Sequence, residues 1–190
     1  MEMKRKVCGP VDLGRQDISM KIIFIRHGEP DYSLLEAAGY TGFRLDLAPL
    51  SAAGRRMATE AAANPLLEQA EILISSSVTR ALETASYLIR DRQLPLFVEP
   101  FLHEWQVYES GTEKFEQARR LFFENNGSIP AGSPVRYETA EQMKARFLRT
   151  LSKYRDYETV ALVAHRMLMR QFVPNQQIDF CQFVECELKF

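Results

Sequence analysis

Four short apolar runs, separated by segments with helical periodicity, constrain the fold of this 190-residue chain more than any other feature. The runs are rich in β-branched and aromatic residues and are short, so they predict strands buried in a sheet. Strands that alternate with helices predict an α/β fold, here a three-layer α/β/α sandwich with a mainly parallel sheet. The predicted strands cover residues 21–25, 71–75, 94–99 and 160–164, and a more exposed last strand covers residues 180–188.

The segments between the strands predict helices from apolar spacing and capping residues. Ser51 is predicted to cap a helix that ends near Pro65. A long amphipathic helix is predicted over residues 137–154, with Thr139 or Ser133 as its cap. The other predicted helices cover residues 78–91 and 114–123 and a short segment that follows residue 164 and ends near Pro174.

The length of the chain fits one domain, which we assign to residues 20–190. Residues 101–134 fit the alternation of strands and helices least well, so they are predicted to form a cap-like insertion over the functional site. Residues 1–19 are mixed and polar and lack an apolar segment of the secretory type. They predict a disordered N-terminal arm, with a targeting or partner-binding arm as the alternative.

Composition and charge argue against several classes of protein. The net charge of −1 gives no indication of a nucleic-acid or anionic-membrane partner. No apolar run approaches the ~18 residues that a transmembrane helix needs. The cysteines Cys8, Cys181 and Cys186 form neither a Cys-x-x-Cys pair nor a zinc-type cluster. Free thiols in a reducing compartment, and therefore a cytoplasmic location, are the expectation.

Chemically capable side chains lie where the predicted strands end. Arg26 and His27 follow the first strand, and Arg80 lies just beyond the second. Glu104 comes after the third strand, and His165 directly follows the fourth. Because the carboxyl ends of parallel strands meet at one edge of the sheet, these side chains are predicted to share one pocket.

Two histidines, two arginines and a carboxyl group in one pocket suit phosphoryl transfer. Arginine presents a planar fork that matches phosphate oxygens, and an imidazole can hold a phosphoryl group covalently. A carboxyl group can protonate the leaving oxygen and then activate water. Since cations already in place stabilise the charge of the transferring group, the sequence predicts neither a metal nor another cofactor.

Five motifs occur along the chain in a characteristic order. They are Ile-Phe-Ile-Arg-His-Gly-Glu at 23–29, Leu-Ser-x-x-Gly at 50–54, Ser-Ser-Ser-Val-Thr-Arg-Ala-Leu-Glu-Thr-Ala at 75–85, Leu-His-Glu at 102–104 and Val-Ala-Leu-Val-Ala-His at 160–165. In this order and spacing, over about residues 20–188, the chain resembles the histidine phosphatase (phosphoglycerate mutase-like) superfamily. The resemblance implies the superfamily's fold, a mainly parallel sheet between helices, and a reaction that needs no metal.

The same resemblance implies a role for each candidate residue. His27 would be the nucleophile that forms phosphohistidine, and Arg26 and Arg80 would clamp the phosphate. His165 would hydrogen-bond to the transferring group and stabilise its charge. Glu104 would donate the proton to the leaving group.

The chain departs from the family pattern at several positions. The tryptophan and asparagine often found five and six residues after the nucleophile are Tyr32 and Ser33 here. Ser33 is assigned the phosphate contact of that asparagine, with another group as the alternative. The glycine usual after the second histidine is Arg166, which would narrow the pocket or add a cation for an anionic substrate.

The Gly-x-Trp-Glu-Gly pattern that often follows the catalytic acid is absent, so Glu109 and Glu113 are kept as alternatives to Glu104. Three other residues have structural interpretations that need no functional role. His103 is expected at the surface or in packing, Trp105 in packing, and Arg44 is at least as well explained as a solvated loop cation.

These observations favour a metal-independent phosphomonoester hydrolase that acts on a small phosphorylated metabolite. The alternatives are a phosphoglycerate-type mutase, a phosphoprotein phosphatase, and a protein that binds a phosphorylated ligand without turnover. No Gly-x-Gly-x-x-Gly follows the first strand and no P-loop is present, which argues against a dinucleotide- or nucleotide-binding module. The oligomeric state is left open.

Overall fold

A five-stranded sheet forms the centre of the computed structural model, which describes residues 19–173 and 177–189. The strand order is β3-β2-β4-β1-β5. Three of the four neighbouring pairs are parallel, and only β5 runs antiparallel to its neighbour β1. The mainly parallel sheet predicted from the sequence is therefore confirmed. The strands are β1 (Ser19–Arg26), β2 (Ile72–Ser76), β3 (Leu96–Glu99), β4 (Thr159–Ala164) and β5 (Phe183–Lys189).

Helices connect the strands, and several short 3₁₀ segments adjoin them. The α-helices are α1 (Ser33–Ala37), α2 (Ala52–Ala61), α3 (Thr79–Leu88), α4 (Thr112–Glu124), α5 (Ala140–Leu151) and α6 (Arg166–Met169). The 3₁₀ segments are Gly42–Leu47, Pro65–Gln69, Pro100–Leu102 and Ser152–Tyr154. In the described part of the chain, these helices fall short of the length and apolar character that a membrane span requires.

The sheet buries side chains on both of its faces. Along β1, Ile22 and Phe24 face one side, whereas Ile23 and Ile25 face the other, because successive side chains of a strand alternate. The first side is covered by α4, α5 and α6, and the second by α3 together with the 3₁₀ segment Pro65–Gln69. The layers are thus helix, sheet and helix, which confirms the predicted three-layer sandwich.

The predicted helix at 137–154 is shorter in the structure, because its N-cap excludes the first residues. Thr139 accepts a hydrogen bond from the backbone N–H of Gln142, and the Gln142 side chain accepts one from the Thr139 N–H. This capping box fixes the start of α5 at Ala140 and decides between the two predicted caps. Tyr137 instead forms an isolated bridge with Val107.

Two other boundaries differ from the prediction. Helix α6 ends at Met169, whereas the sequence predicted an end near Pro174, a residue outside the described ranges. Strand β5 begins at Phe183 because Cys181 adopts a φ of 55°, which turns the chain before the strand starts.

The predicted N-terminal arm lies almost wholly outside the described residues, which begin at Ser19, the first residue of β1. The predicted insertion at 101–134 contains α4, whose residues Ala118 and Phe122 are buried in the same core as Trp105. A capping role for this insertion stays a prediction. The helix α1 and the 3₁₀ segment Gly42–Leu47 had no counterpart in the sequence prediction.

Two glycines of the sequence motifs meet backbone to backbone beneath the functional site. A Cβ atom on Gly54 would lie 2.1 Å from the carbonyl oxygen of Glu29, and one on Gly28 would lie 2.8 Å from that of Gly54. The loop after β1 is therefore in close contact with the start of α2, and only glycine leaves room for this approach. Ser51 strengthens the contact, since its hydroxyl donates to Glu29 Oε1 (2.6 Å).

Helix α3 holds the same loop from another direction. The backbone N–H of Gly28 donates to Thr84 Oγ1 (3.0 Å). The neighbouring Glu83 accepts hydrogen bonds from the backbone N–H of Leu50 (2.7 Å) and from Arg55 Nε (2.6 Å). Three of the sequence motifs are thus bound to one another, which fixes the loop that carries His27.

Replacement of Gly54 by alanine tests this arrangement, because helix propensity and packing predict changes of opposite sign in the free energy of unfolding. Alanine is favoured over glycine in a helix by about 1 kcal/mol. We nevertheless expect Gly54→Ala to lower the free energy of unfolding by about 1–3 kcal/mol, because the new methyl group overlaps the Glu29 carbonyl. Urea denaturation measures the change, with Ala52→Gly as the control at an exposed position of the same helix. A stabilised Gly54→Ala variant would show that the two backbones are not in contact.

Candidate active site

The carboxyl ends of β1 and β4 bring the two predicted catalytic histidines together. Arg26 pairs in register with Ala164, so His27 and His165 are the next residues of two adjacent parallel strands. The backbone N–H of His27 donates to the Ala164 carbonyl (3.1 Å), which continues the pairing one residue further. The imidazole rings lie 5.1 Å apart between centroids, and both residues are buried.

The guanidinium of Arg80 lies against both histidines. Arg80 is in the first turn of α3, directly after β2, and is only 4% exposed. Its Nε donates to Nε2 of His27 (3.2 Å), and its Nη2 lies 3.5 Å from Nδ1 of His165. The structure therefore places Arg80 where the sequence predicted it, in one pocket with His27 and His165.

These contacts indicate the tautomer of each histidine, because a guanidinium can only donate. His27 must accept at Nε2 and so carries its proton on Nδ1, which lies 2.7 Å from the Gly28 carbonyl oxygen. By the same argument, His165 carries its proton on Nε2, which lies 2.9 Å from Ser76 Oγ. The lone pair of His27 Nε2 is consequently directed at the guanidinium of Arg80.

Both imidazoles are neutral at neutral pH. Burial, reinforced by the charge of Arg80, lowers the pKa of His27 from 6.5 to about 3. Burial also lowers the pKa of His165 well below 6.5, with further contributions from His27 and Arg80. A neutral imidazole keeps the lone pair that a nucleophile requires.

Glu104 lies on the same edge of the sheet, after β3 and the 3₁₀ segment Pro100–Leu102. Its carboxylate accepts hydrogen bonds from the backbone N–H groups of Trp105 (2.9 Å) and Met167 (3.2 and 3.3 Å). Burial raises the pKa of this carboxyl above its usual 4.5, although these hydrogen bonds and Arg80 oppose the shift. A carboxyl with a raised pKa, bound to the turn that follows His165, is a candidate for proton exchange with a ligand.

A buried ion pair that sequence reasoning missed holds the turn that carries Glu104. Arg146 of α5 is paired with Glu138, with a distance of 2.9 Å between Arg146 Nη2 and Glu138 Oε2. Arg146 also donates to the carbonyl oxygens of Phe101 (2.6 Å) and Glu104 (3.4 Å). The sequence carried a signal for this pair, because Arg146 interrupts the apolar face that Met143 and Phe147 form on α5.

Arg26 borders the pocket from the end of β1. Its Nη1 donates to the Ile178 carbonyl (2.8 Å), and its guanidinium carbon lies 3.9 Å from the centre of the Phe180 ring. Its Nε is buried and has no hydrogen-bond partner among the described residues. Burial and the charge of Arg166 lower the pKa of Arg26, whereas Glu104 and Asp179 act in the opposite direction.

Ser33 is not brought into this cluster. Its side chain is exposed, and its hydroxyl donates to Asp31 Oδ1 (2.6 Å). The preceding residue, Tyr32, is half-buried, and the pKa of its hydroxyl is raised by burial and influenced by Arg80, Asp46, Glu104 and Arg26. The structure therefore directs Tyr32 rather than Ser33 towards the pocket. A phosphate contact by Ser33 stays a prediction.

Asp46 also contacts Arg80, although the sequence did not predict it at this site. Its Oδ1 lies 3.2 Å from Arg80 Nη1, which also lies 3.5 Å from the Leu45 carbonyl oxygen. Asp46 belongs to the 3₁₀ segment Gly42–Leu47, where the sequence has no periodic signal. The carboxylate thus occupies a position against the guanidinium that a phosphate group would also favour.

The remaining candidates lie in other environments. Glu109 accepts from the backbone N–H (2.8 Å) and the side chain of Arg136, and Glu113 is an exposed residue of α4. Trp105 is buried among aromatic rings, as predicted, and donates to the Glu138 carbonyl (2.7 Å). His103 is half-buried with its Nδ1 2.8 Å from the Glu104 carbonyl oxygen, and Arg44 is exposed.

Among residues 19–173 and 177–189, no group of three or more His, Cys, Asp or Glu side chains is arranged to hold a metal ion.

Comparison with known proteins assigns the chain to a family. A family model described as the histidine phosphatase superfamily (branch 1) matches residues 22–176. The match spans most of the chain, so the chain belongs to the histidine phosphatase superfamily. The predicted class of enzyme, a histidine phosphatase, is confirmed at the level of this family. Comparison with the sequences of curated proteins gives no significant match.

Solved structures share the fold. A putative alpha-ribazole-5'-P phosphatase from Escherichia coli is 22% identical, with a TM-score of 0.61 over 88% of this chain and 90% of that one. A mycobacterial glucosyl-3-phosphoglycerate phosphatase is 20% identical, with a TM-score of 0.64 over 89% and 90%. YhfR from Bacillus stearothermophilus is 19% identical, with a TM-score of 0.67 over 87% and 90%. At these identities, the similarity establishes the common architecture.

Because Asp46 contacts the same guanidinium that a phosphate would contact, its removal should favour anion binding. We expect Asp46→Asn to tighten the binding of inorganic phosphate by up to about fivefold, since a partly exposed ion pair is worth up to about 1 kcal/mol. Isothermal titration calorimetry measures the dissociation constant. Asp156→Asn, at an exposed position, controls for the general loss of one negative charge. Weaker phosphate binding by Asp46→Asn would show that Asp46 orients Arg80 for the anion instead of competing with it.

Proposed function

We propose that the protein is a metal-independent phosphomonoester hydrolase that acts through a phosphohistidine intermediate on His27. The observation that carries the proposal is the contact of one buried guanidinium, that of Arg80, with the neutral imidazoles of His27 and His165. These contacts support His27 as the nucleophile, Arg80 as the cation for the transferring group and His165 as the second imidazole. The carboxyl of Glu104 on the same sheet edge supplies the acid that such a reaction needs.

In the first step, the lone pair of His27 Nε2 attacks the phosphorus atom, and the bond between phosphorus and the ester oxygen breaks. The leaving oxygen takes its proton from the Glu104 carboxyl, so that a neutral alcohol departs. The hydrogen bond from His27 Nδ1 to the Gly28 carbonyl keeps Nε2 facing the phosphorus and stabilises the positive charge that the ring acquires.

In the second step, water attacks the phosphorus atom of phosphohistidine. The Glu104 carboxylate takes a proton from that water, the bond between phosphorus and Nε2 breaks, and inorganic phosphate is released. His27 returns to its neutral form and Glu104 to its protonated form. The groups that begin the cycle are therefore regenerated, and water is the only reactant consumed besides the ester.

The side chains of the pocket supply the positive charge that the transferring group needs. The Arg80 guanidinium replaces its contacts with His27 Nε2 and Asp46 by contacts to the phosphoryl oxygens, which frees the lone pair of Nε2 for the attack. Arg26 adds a second cation. Once Arg80 has moved to the phosphoryl oxygens, His165 donates a hydrogen bond to the same group from Nδ1, in the tautomer in which Nε2 accepts from the Ser76 hydroxyl. Fixed cations in a buried site stabilise the charge of the transition state strongly, which makes a metal ion unnecessary for this chemistry.

The proposed substrate class is a small phosphorylated metabolite. The names of two structural neighbours refer to phosphatases of such compounds, alpha-ribazole-5'-P and glucosyl-3-phosphoglycerate. Their level of identity supports a common fold, so the compound itself is left to experiment. The burial of His27 and His165 agrees with a substrate that enters a pocket as a single small molecule.

Hydrolysis of an aryl phosphate in excess EDTA tests the reaction and the nucleophile together. We expect wild type to release phosphate and His27→Ala to lose activity by about a thousandfold or more, as nucleophile removal does in other covalent enzymes. His103→Ala, which removes a histidine without a proposed role, is the control and should keep its activity.

A quenched reaction with ³²P-labelled substrate should trap label on wild type in an acid-labile, alkali-stable form, as expected for phosphohistidine. Full activity in His27→Ala would refute the proposed nucleophile. Activity that disappears with EDTA and returns with a divalent metal would refute the metal-independent mechanism.

The assignment of Glu104 as the acid is tested by the leaving group. Glu104→Gln should lower kcat/KM for an alkyl phosphate by roughly 10²–10⁴-fold, because an alkoxide needs a proton, and much less for p-nitrophenyl phosphate. In wild type, kcat/KM for the alkyl ester should fall as the pH rises through the raised pKa of Glu104, and the variant should lack this decline. Glu109→Gln is the matched control. If Glu109→Gln showed the selective loss instead, the catalytic acid would be Glu109.

A further inference from the structure

Arg166 occupies a special position relative to the proposed leaving group. It follows His165 directly, is the first residue of α6 and is exposed. The next residue, Met167, donates its backbone N–H to both carboxylate oxygens of Glu104 (3.2 and 3.3 Å). The turn that carries Arg166 therefore adjoins the carboxyl group that, in the proposed function, protonates the leaving oxygen.

Further cations lie beside Arg166. Burial and, after it, the charge of Arg166 lower the pKa of Arg26 at the pocket and that of Arg170 at the end of α6. Arg166 and Arg170 are four residues apart, so they share one face of the helix, where like charges destabilise each other. Arg170 lies 5.9 Å from the ring of Phe123, which keeps it near α4.

Neither Arg166 nor Arg170 has an ion-pair partner among the described residues. No carboxylate oxygen of residues 19–173 or 177–189 lies within 4 Å of the guanidinium of Arg166 or of Arg170. The full sequence carries a net charge of −1, so the concentration of arginines is local and does not reflect a basic protein. An anionic ligand would relieve the mutual repulsion of these groups.

We infer that Arg166 is a specificity-determining residue that binds a second anionic group, a carboxylate or a second phosphate, on the leaving-group side of the substrate. The inference rests on the proposed function, because Glu104 marks the leaving-group side only if it is the acid. The carbon that bears the ester oxygen would lie beside Glu104. An anionic substituent one or two carbons further along would then reach the guanidinium, whose planar fork matches either group.

Matched pairs of phosphate esters test this inference. The carboxylate pair is 3-phosphoglycerate and glycerol 3-phosphate, in which a hydroxymethyl group replaces the carboxylate. The phosphate pair is propane-1,3-diol bisphosphate and the corresponding monophosphate. For each compound, kcat/KM is measured where turnover occurs, and otherwise Ki against p-nitrophenyl phosphate hydrolysis. The proteins are wild type, Arg166→Gln, Arg166→Lys and the exposed control Arg149→Gln, all checked by thermal unfolding.

Wild type should prefer the anionic member of at least one pair. Arg166→Gln should lose roughly 10- to 100-fold on that member, the usual cost of a hydrogen bond to a charged group, and change little on its neutral partner. Arg166→Lys should recover part of the loss, and Arg149→Gln should behave as wild type. The pair that responds identifies the second group as carboxylate or phosphate.

Equal effects of Arg166→Gln on both members of each pair, or no preference in wild type, would overturn the inference. This failure is separable from failure of the proposed function, because p-nitrophenyl phosphate carries no second anion and reports on the phosphatase reaction alone. If wild type hydrolysed no ester, calorimetric binding of the same pairs to wild type and Arg166→Gln would still decide whether Arg166 recognises the second anion.

Discussion

The buried contact between Arg80 and the two active-site histidines is the interaction on which the rest of the site depends. A guanidinium keeps its charge in every environment, so its burial has to be compensated by acceptors. His27, His165, the Leu45 carbonyl and Asp46 provide them. Burial, assisted by this charge, keeps both imidazoles in their neutral forms. Without Arg80, the proposed nucleophile would lose both its orientation and the cation that receives the phosphate.

Two separate supports fix the geometry around this contact. The first is the contact between the backbones at Gly28 and Gly54, strengthened by Thr84 from α3, which holds the loop of the nucleophile. The second is the buried pair of Arg146 and Glu138, which holds the turn of the proposed acid from the opposite layer of helices. Because both supports rest on helices and strands, reacting groups in this site are positioned by the rigid parts of the fold.

The strands, the three-layer architecture and the meeting of His27, His165, Arg80 and Glu104 could be predicted from the sequence, because the ends of parallel strands converge by geometry. The directions of the side chains in the loop after β1 could not be predicted from the sequence. A choice between Tyr32 and Ser33 depends on how that loop packs, and adjacent residues carry no periodic signal to decide it. The contact between Asp46 and Arg80 joins residues 34 positions apart, so it too arises only from tertiary packing. Arg146 is an intermediate case, since a charge on an apolar helix face indicated a buried partner without identifying it.

The pairing of Asp46 with Arg80 has a consequence for the end of a catalytic cycle. A pocket built from fixed cations holds inorganic phosphate as well as it holds a phosphate ester, so departure of the product would otherwise be slow. A tethered carboxylate close to Arg80 can replace each phosphate contact as it breaks, and the guanidinium is never left buried without an acceptor. In the proposed function, the side chain that competes with substrate binding would therefore also lower the barrier to product release and so increase the turnover rate.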